Sequence, residues 1–315
     1  MFMTKRHRYQ GQILGFMLAL WPACGLTEEG AIPFPLTKVA QGIYVHQGLH
    51  EDYSQNNHGD IANLGFIVGS RCVAVLDSGG SLTVGRALRA AIKRTTHVPI
   101  CYVINSHVHP DHILGNLAFR EDTPKYIGHT DLPQALVNNR DHFLKNFVAP
   151  TGEPISDDLF ITPDQIVENT LELDLGGRVI LLKAHRKAHT NQDLTAFDRQ
   201  TKTLWLADLL FIDRIPALDG SVKGWLSLIE ELRGMEAAHV IPGHGPVSAP
   251  WPEALDAEQR YLQTLVDEIR VLIARGGTLE EAMETVGDSE KDRWILFAQY
   301  HKRNVSKVFV ELEWE

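Results

Sequence analysis

The chain has little positive charge to spare: 30 Lys and Arg stand against 40 Asp and Glu, a formal net charge of −10. A polyanion such as DNA or RNA would be repelled over most of such a surface, which argues against nucleic-acid partners. Long apolar runs are also missing. Ile13 to Trp21 is too short to span a membrane. There is no low-complexity tract, internal repeat or long linker, and no Gly-x-Ser-x-Gly elbow to supply a serine nucleophile. Cysteine is scarce, with three in 315 residues. What is present is a soluble globule's composition, 44% hydrophobic and 22% charged, in a chain long enough to bury a sizeable core.

The N-terminus reads as a leader. Lys5, Arg6 and Arg8 precede the apolar run, and the small residues Ala23 and Gly25 follow it. This is the layout of a secretory signal peptide over residues 1–25, cleaved after Gly25, and it predicts a periplasmic or secreted mature chain with no transmembrane span. Lipidation at Cys24 is the lesser alternative, because Trp21 and Pro22 match a lipobox poorly. Cys72 and Cys101 then remain, in runs that read as neighbouring strands. An oxidising compartment permits a disulfide, but the expectation is two buried thiols, because disulfide geometry is demanding.

Downstream, Ile43–His46, Leu64–Gly69, Cys72–Leu76 and Ile100–Asn105 read as strands, with a helix over Leu82–Arg94. Strand, helix, strand implies a parallel pair joined by a crossover, with ligands gathering at the carboxyl ends of the strands. Asp77 and Ser106 are thereby placed on one rim. Strands follow at Leu171–Asp174, Val179–Lys183, Leu194–Phe197, Thr203–Leu206 and Ala238–Pro242, with a helix over Val222–Gly234. Beyond Pro250 the pattern is helical and amphipathic, over Glu253–Arg275 and Leu279–Val286, as packing helices on the same domain.

The sharpest signal is His107-Val-His109-Pro-Asp111-His112, directly behind a strand. Alternate side chains of an extended segment share a face, so His107 and His109 can address one ion. Pro110 then turns the chain and aims Asp111 and His112 at an adjacent position. Imidazole and carboxylate are zinc-type ligands. His189, Asp208 (read as ending its strand) and His244, between two glycines, complete the set. His185 lies four residues before His189, but the His-Thr-x-x-Asp context favours His189. Asp77, Ser106 and Asp193 are candidates to accept the outward N–H of ligating imidazoles. Tyr53 and His58 are placed near a substrate, and Trp205 and Trp225 in the core.

These residues, in this order, resemble the ligand series of the metallo-β-lactamase superfamily, over roughly Ile32 to Val247, with Gly115-Asn116 also fitting. The resemblance implies a four-layered αββα sandwich over residues 31–250, with a C-terminal helical extension over 251–315. It implies two zinc ions per chain: His107, His109 and His189 on the first, Asp111, His112 and His244 on the second, and Asp208 bridging. Aspartate at 208 is similar to the glyoxalase II and lactonase branches rather than to many true β-lactamases. Ile215–Ser221 with Gly224-Trp225, and the tail His301–Val305 with Glu311–Glu313, resemble the SoxH-like group, exported quinoprotein relay system zinc metallohydrolases.

The activity implied is attack of a metal-bound hydroxide on the acyl carbonyl of a small thioester, ester, lactone or lactam, with turnover depending on Asp111 and Asp208. Two alternatives stay open: an iron-dependent persulfide dioxygenase, and a non-catalytic accessory factor bound to a periplasmic quinoprotein or cytochrome.

Overall fold

The computed structural model describes residues 1–3 and 33–315. Nearly all of the expected leader, Cys24 included, lies outside the described residues. The described residues from 33 to 315 belong to one compact unit.

One sheet runs in chain order: β1 (Thr37–Ala40), β2 (Ile43–His46), β3 (Leu64–Val68), β4 (Val73–Leu76), β5 (Ile100–Ile104), β6 (Lys125–His129) and β7 (Gln165–Val167). The other contains β8 (Thr170–Asp174), β9 (Val179–Ala184), β10 (Leu194–Asp198), β11 (Thr203–Phe211) and β12 (His239–His244), in the spatial order β12-β11-β10-β9-β8. Alternation along the strands builds the layers. Ala74 and Leu76 face inward with Ile67 and Ile104, against Leu182, Ala196, Trp205 and Ile241 of the second sheet. Val73 and Val75 face outward with Leu64 and Phe66, onto Val84, Leu88 and Ile92 of helix α1 (Leu82–Thr95). Ser81 starts that helix by accepting from the Val84 amide.

After α1 come α2 (Pro110–Ile113), α3 (Leu132–Phe143), a short α4 (Ala149–Thr151), α5 (Val222–Arg233), α6 (Leu255–Ala274), α7 (Leu279–Thr285) and α8 (Phe297–Leu312). Helices α5, α6 and α8 cover the outer face of the second sheet, with Trp225 at their centre. The result is an αββα sandwich with a C-terminal helical region, as expected. β1, β6, β7, α2, α3, α4 and α8 had no sequence assignment. α8 is legible afterwards, since its buried residues His301, Val305, Val308, Phe309 and Leu312 repeat at helical spacing. Among the described residues no helix is long and apolar enough to cross a membrane.

Cys72 and Cys101 form a disulfide, which corrects the expectation of buried free thiols. Val73 pairs with Ile100 in the parallel β4–β5 ladder, so the adjacent cysteines come to 5.4 Å between Cα atoms, within bonding reach. Both are only half-buried. The bond spans 29 positions. On chain entropy, Cys72→Ser should cost about 3 kcal/mol of stability, read as a lower urea midpoint than the oxidised parent. An unchanged midpoint would show that the cross-link constrains nothing in the unfolded chain.

Candidate metal centre

β4 and β5 run parallel and end side by side, so the residues after Leu76 and Ile104 meet on one rim. Asp77 sits there with positive φ (56°) and accepts three hydrogen bonds: the Ser106 amide at 2.7 Å, Ser106 Oγ at 2.8 Å and His112 Nδ1 at 2.8 Å. Asn105 and Asn116 exchange amide hydrogen bonds at 3.1 and 2.8 Å and close the base of the histidine loop. Pro110 opens α2, which turns Asp111 and His112 away from the extended His107–His109 segment.

The seven sequence-predicted ligands converge. His107, His109, His189 and Asp208 form one group, and Asp111, His112 and His244 the other, with the potential ligand atoms of each within 4.8 Å of one another. Asp208 touches both: its carboxylate lies 3.3 Å from His189 Nε2, 3.1 Å from His112 Nε2 and 3.4 Å from His244 Nε2. It does not end its strand, as the sequence suggested. β11 continues to Phe211, but Ala207 has positive φ (47°) and the pairing with β12 breaks register on both sides of it. That irregularity re-aims the next side chain into the site. Gly243 is required there, because a Cβ would lie 1.9 Å from Asp208 Oδ1.

All five imidazoles spend one ring nitrogen outward. His112 Nδ1 donates to Asp77, His107 Nδ1 to Ser106 Oγ at 2.9 Å, and His109 Nε2 to Asp219 at 2.9 Å. His189 Nδ1 donates to the Ala217 carbonyl and His244 Nδ1 to the Ile61 carbonyl. Carbonyls only accept, so those nitrogens carry the proton and the inner ones are lone pairs. Three such nitrogens crowd together, His189 Nε2 lying 2.9 Å from His109 Nδ1 and 3.3 Å from His107 Nε2. His112 Nε2 and Asp208 Oδ1 are buried, face each other and lack a hydrogen-bond partner. Lone pairs converging on carboxylates need cations between them, so the donor set fits metal ions.

The electrostatics agree. Burial pulls His107 well below its ordinary value and takes His189 down to about 3. Burial opposes ionisation of Asp208, but His112, His244 and His107 hold its carboxyl well below the usual range. Neutral imidazole and ionised carboxylate are the metal-binding forms. His109 and His112 are the exceptions: burial opposes the charged form of each, but Asp219, Asp111 and Asp208 raise His109 above its ordinary value, and Asp208, Asp77 and Asp111 raise His112 well above it. A proton there competes with a metal, so affinity should fall as pH falls. Asp77→Asn keeps the shape and tolerates the positive φ, but removes one acceptor. It should weaken metal binding about 10–100-fold in chelator competition; an unchanged affinity would deny Asp77 its orienting role.

Asp193 does not reach an imidazole. Its carboxylate accepts from the amide and hydroxyl of Thr190 and closes that turn, and burial lifts it to about 6. His185 lies outside the cluster, hydrogen-bonded to Thr195 Oγ1 at 2.8 Å. Tyr53 lines the cavity over the site, whereas His58 does not. That cavity, about 310 Å³, also takes Arg214, Asp219, Tyr300, Arg303 and Lys307 into its wall. Sequence reasoning gave none of these a role. Asp219 and Arg303 lie in the two runs singled out by resemblance, but no local pattern shows that they meet, at 2.6 and 2.8 Å.

Behind the site, Glu258 of α6 is fully buried, with Oε1 accepting from the Phe211 amide and Oε2 unpartnered. Phe211 stacks on His244, ring centres 4.9 Å apart. Burial raises Glu258 well above its ordinary 4.5. The folded chain then keeps a proton that the unfolded chain loses, so stability falls as pH rises above about 4.5. Glu258→Gln should therefore raise the melting temperature more at pH 8 than at pH 5. An equal change at both would refute a protonated Glu258.

The layers and the His/Asp cluster define an αββα protein with a buried site able to hold metal. Residues 59–244 match the family described as the Metallo-beta-lactamase superfamily, and the chain belongs to that superfamily. Among solved structures it is similar to the metallo-beta-lactamase from Pontibacter korlensis (TM-score 0.59, 19% identity, 73% of this chain and 99% of that one). It is similar also to the stereoselective inverting sec-alkylsulfatase Pisa1 from Pseudomonas sp. (0.67, 18%, 89% and 50%) and to metallo-beta-lactamase IND-7 (0.57, 17%, 73% and 98%). At these identities the likeness is one of fold. No curated protein matches the sequence.

Proposed function

We propose that the chain is an exported, zinc-dependent hydrolase of small acyl compounds: thioesters, esters, lactones or lactams. The observation that carries this reading is the set of five imidazoles, each anchored outward through one ring nitrogen and each turning the other into the cluster formed with Asp208 and Asp111. His107, His109 and His189 would hold one zinc, Asp111, His112 and His244 the other, and Asp208 both. Such a pair supplies activation of water at neutral pH and polarisation of the scissile carbonyl. The chain's own residues supply placement. Asp77 and Asp219 orient His112 and His109, and Phe143, Phe147 and Val108 line the cavity and limit water. The Tyr53 hydroxyl has no partner, and burial, reinforced by Asp111, holds it well above its ordinary value. It stays protonated.

Metal quantification with a hydrolysis screen tests this. About two zinc per chain and turnover of at least one acyl class are expected. One iron per chain with oxygen uptake on a persulfide would overturn it. Sulfate esters belong in the screen beside β-lactams, since both activities occur in the names of structural neighbours.

Export is supported by the basic, apolar, small-residue order of residues 5–25 and by the Cys72–Cys101 bond, which suits an oxidising compartment. Sequencing the mature N-terminus should start at Leu26. The Ile215–Ser221 and His301–Val305 runs support membership of the SoxH-like group and service to a periplasmic quinoprotein system. Retention of a quinoprotein or cytochrome by the tagged protein is the corresponding observation.

A further inference from the structure

Six charged residues line the cavity: Asp111, Asp208, Asp219, Arg214, Arg303 and Lys307. The first two belong to the metal cluster. Asp219 is already engaged by His109 and by Arg303, and Lys307 Nζ lies 3.9 Å from it. One carboxylate is left to answer three cations. Arg214 is the sharpest case. It is 4% exposed, donates to the Glu51 carbonyl at 3.3 Å and to the Tyr300 hydroxyl at 3.1 Å, lies 3.4 Å from His244 Nδ1 and 5.4 Å from the centre of the Tyr300 ring, and makes no ion pair among the described residues. A buried guanidinium without a counter-charge is costly unless an anion arrives to meet it.

The other two cations come from α8. Tyr300, Arg303 and Lys307 follow at spacings of three and four, so they share one helix face, and that face forms cavity wall. The side chains of Arg303 and Lys307 remain about half exposed (53% and 49%), with donors available. In a chain of net charge −10, a cationic wall beside the metal cluster runs against the general field and draws anions to that spot.

We propose that the substrate carries an oxyanion group, a carboxylate or its equivalent, apart from the bond that is cleaved, and that Arg303 and Lys307 receive it with Arg214 behind them. This rests on the hydrolase reading above. It makes α8 a specificity element rather than only a packing helix.

The test uses the zinc-loaded mature chain and two probes differing at one end: the mono-thiophenyl ester of glutaric acid and the same ester with its free carboxylate converted to the amide. The charged probe should have a KM about tenfold lower at similar kcat. Lys307→Met should reduce that ratio severalfold, Lys307→Arg should restore it, and added salt should narrow it. Independently of turnover, calorimetry should show glutarate binding about tenfold more tightly than pentanoate, with the difference shrinking in Lys307→Met and in Arg214→Met. Equal KM values together with equal binding of glutarate and pentanoate would overturn the proposal. Glutarate selectivity without hydrolysis of either ester would sink the hydrolase reading and leave the anion site standing. Hydrolysis without selectivity in either assay would do the reverse.

Discussion

Asp208→Asn should cost the metal centre at least half of its metal. The carboxylate reaches ring nitrogens of both ligand groups, lying 3.1 Å from His112 Nε2 and 3.3 Å from His189 Nε2. Asparagine fills the same volume, which matters beside Gly243, so packing is retained. What disappears is the negative charge facing at least three inward imidazole lone pairs. Zinc content should drop from about two per chain to one or less, and hydrolysis by more than about 100-fold, since loss of even an outer partner costs 10–100-fold. The variant's melting curve without metal should resemble that of the metal-free parent. Retention of both metals and full turnover would remove Asp208 from the site and break the link between the two groups.

The largest loss of stability is expected from Asp198→Ala. Asp198 ends β10 and receives both arms of Arg178 at 2.8 Å, with the pair almost wholly buried. Arg178 also donates across the sandwich to the Val68 carbonyl of β3 at 3.0 Å, joining the two sheets. Asp198 accepts in addition from the Thr201 amide at 2.9 Å, closing the turn into β11. Truncation strands a buried guanidinium, a change worth about 3–5 kcal/mol, or on the order of 10 °C in melting temperature. Arg178→Met with Asp198→Leu should recover much of it, since an apolar pair carries no stranded charge. If the single variant melts like the parent, the guanidinium has found another counter-charge or water.

The metal motif was legible because its chemistry is local. His107, His109, Asp111 and His112 sit within six positions behind a strand, and the alternation of extended chain already aims the first two together. Strand and helix positions followed from apolar periodicity, and Asp77 and Ser106 from the rule that parallel strands deliver their ends to one rim. The disulfide was misjudged because the two cysteines meet only through the register of β4 against β5, which periodicity does not specify. Asp193 was offered to an imidazole, but a side chain three residues from Thr190 bonds locally before it reaches further.

The sequence alone determined the layers, the membership of the His/Asp cluster and the superfamily, since each depends on residues near one another in the chain or on a repeating apolar pattern. Only the tertiary structure decided what surrounds the His/Asp cluster. Arg303 reaches Asp219 over 84 positions, Tyr300 reaches Arg214 over 86, and the break in β11 at Ala207 is set by pairing with β12. Such contacts carry no local signature, because a charged residue on an amphipathic helix looks the same whether it faces solvent or the wall of a cavity.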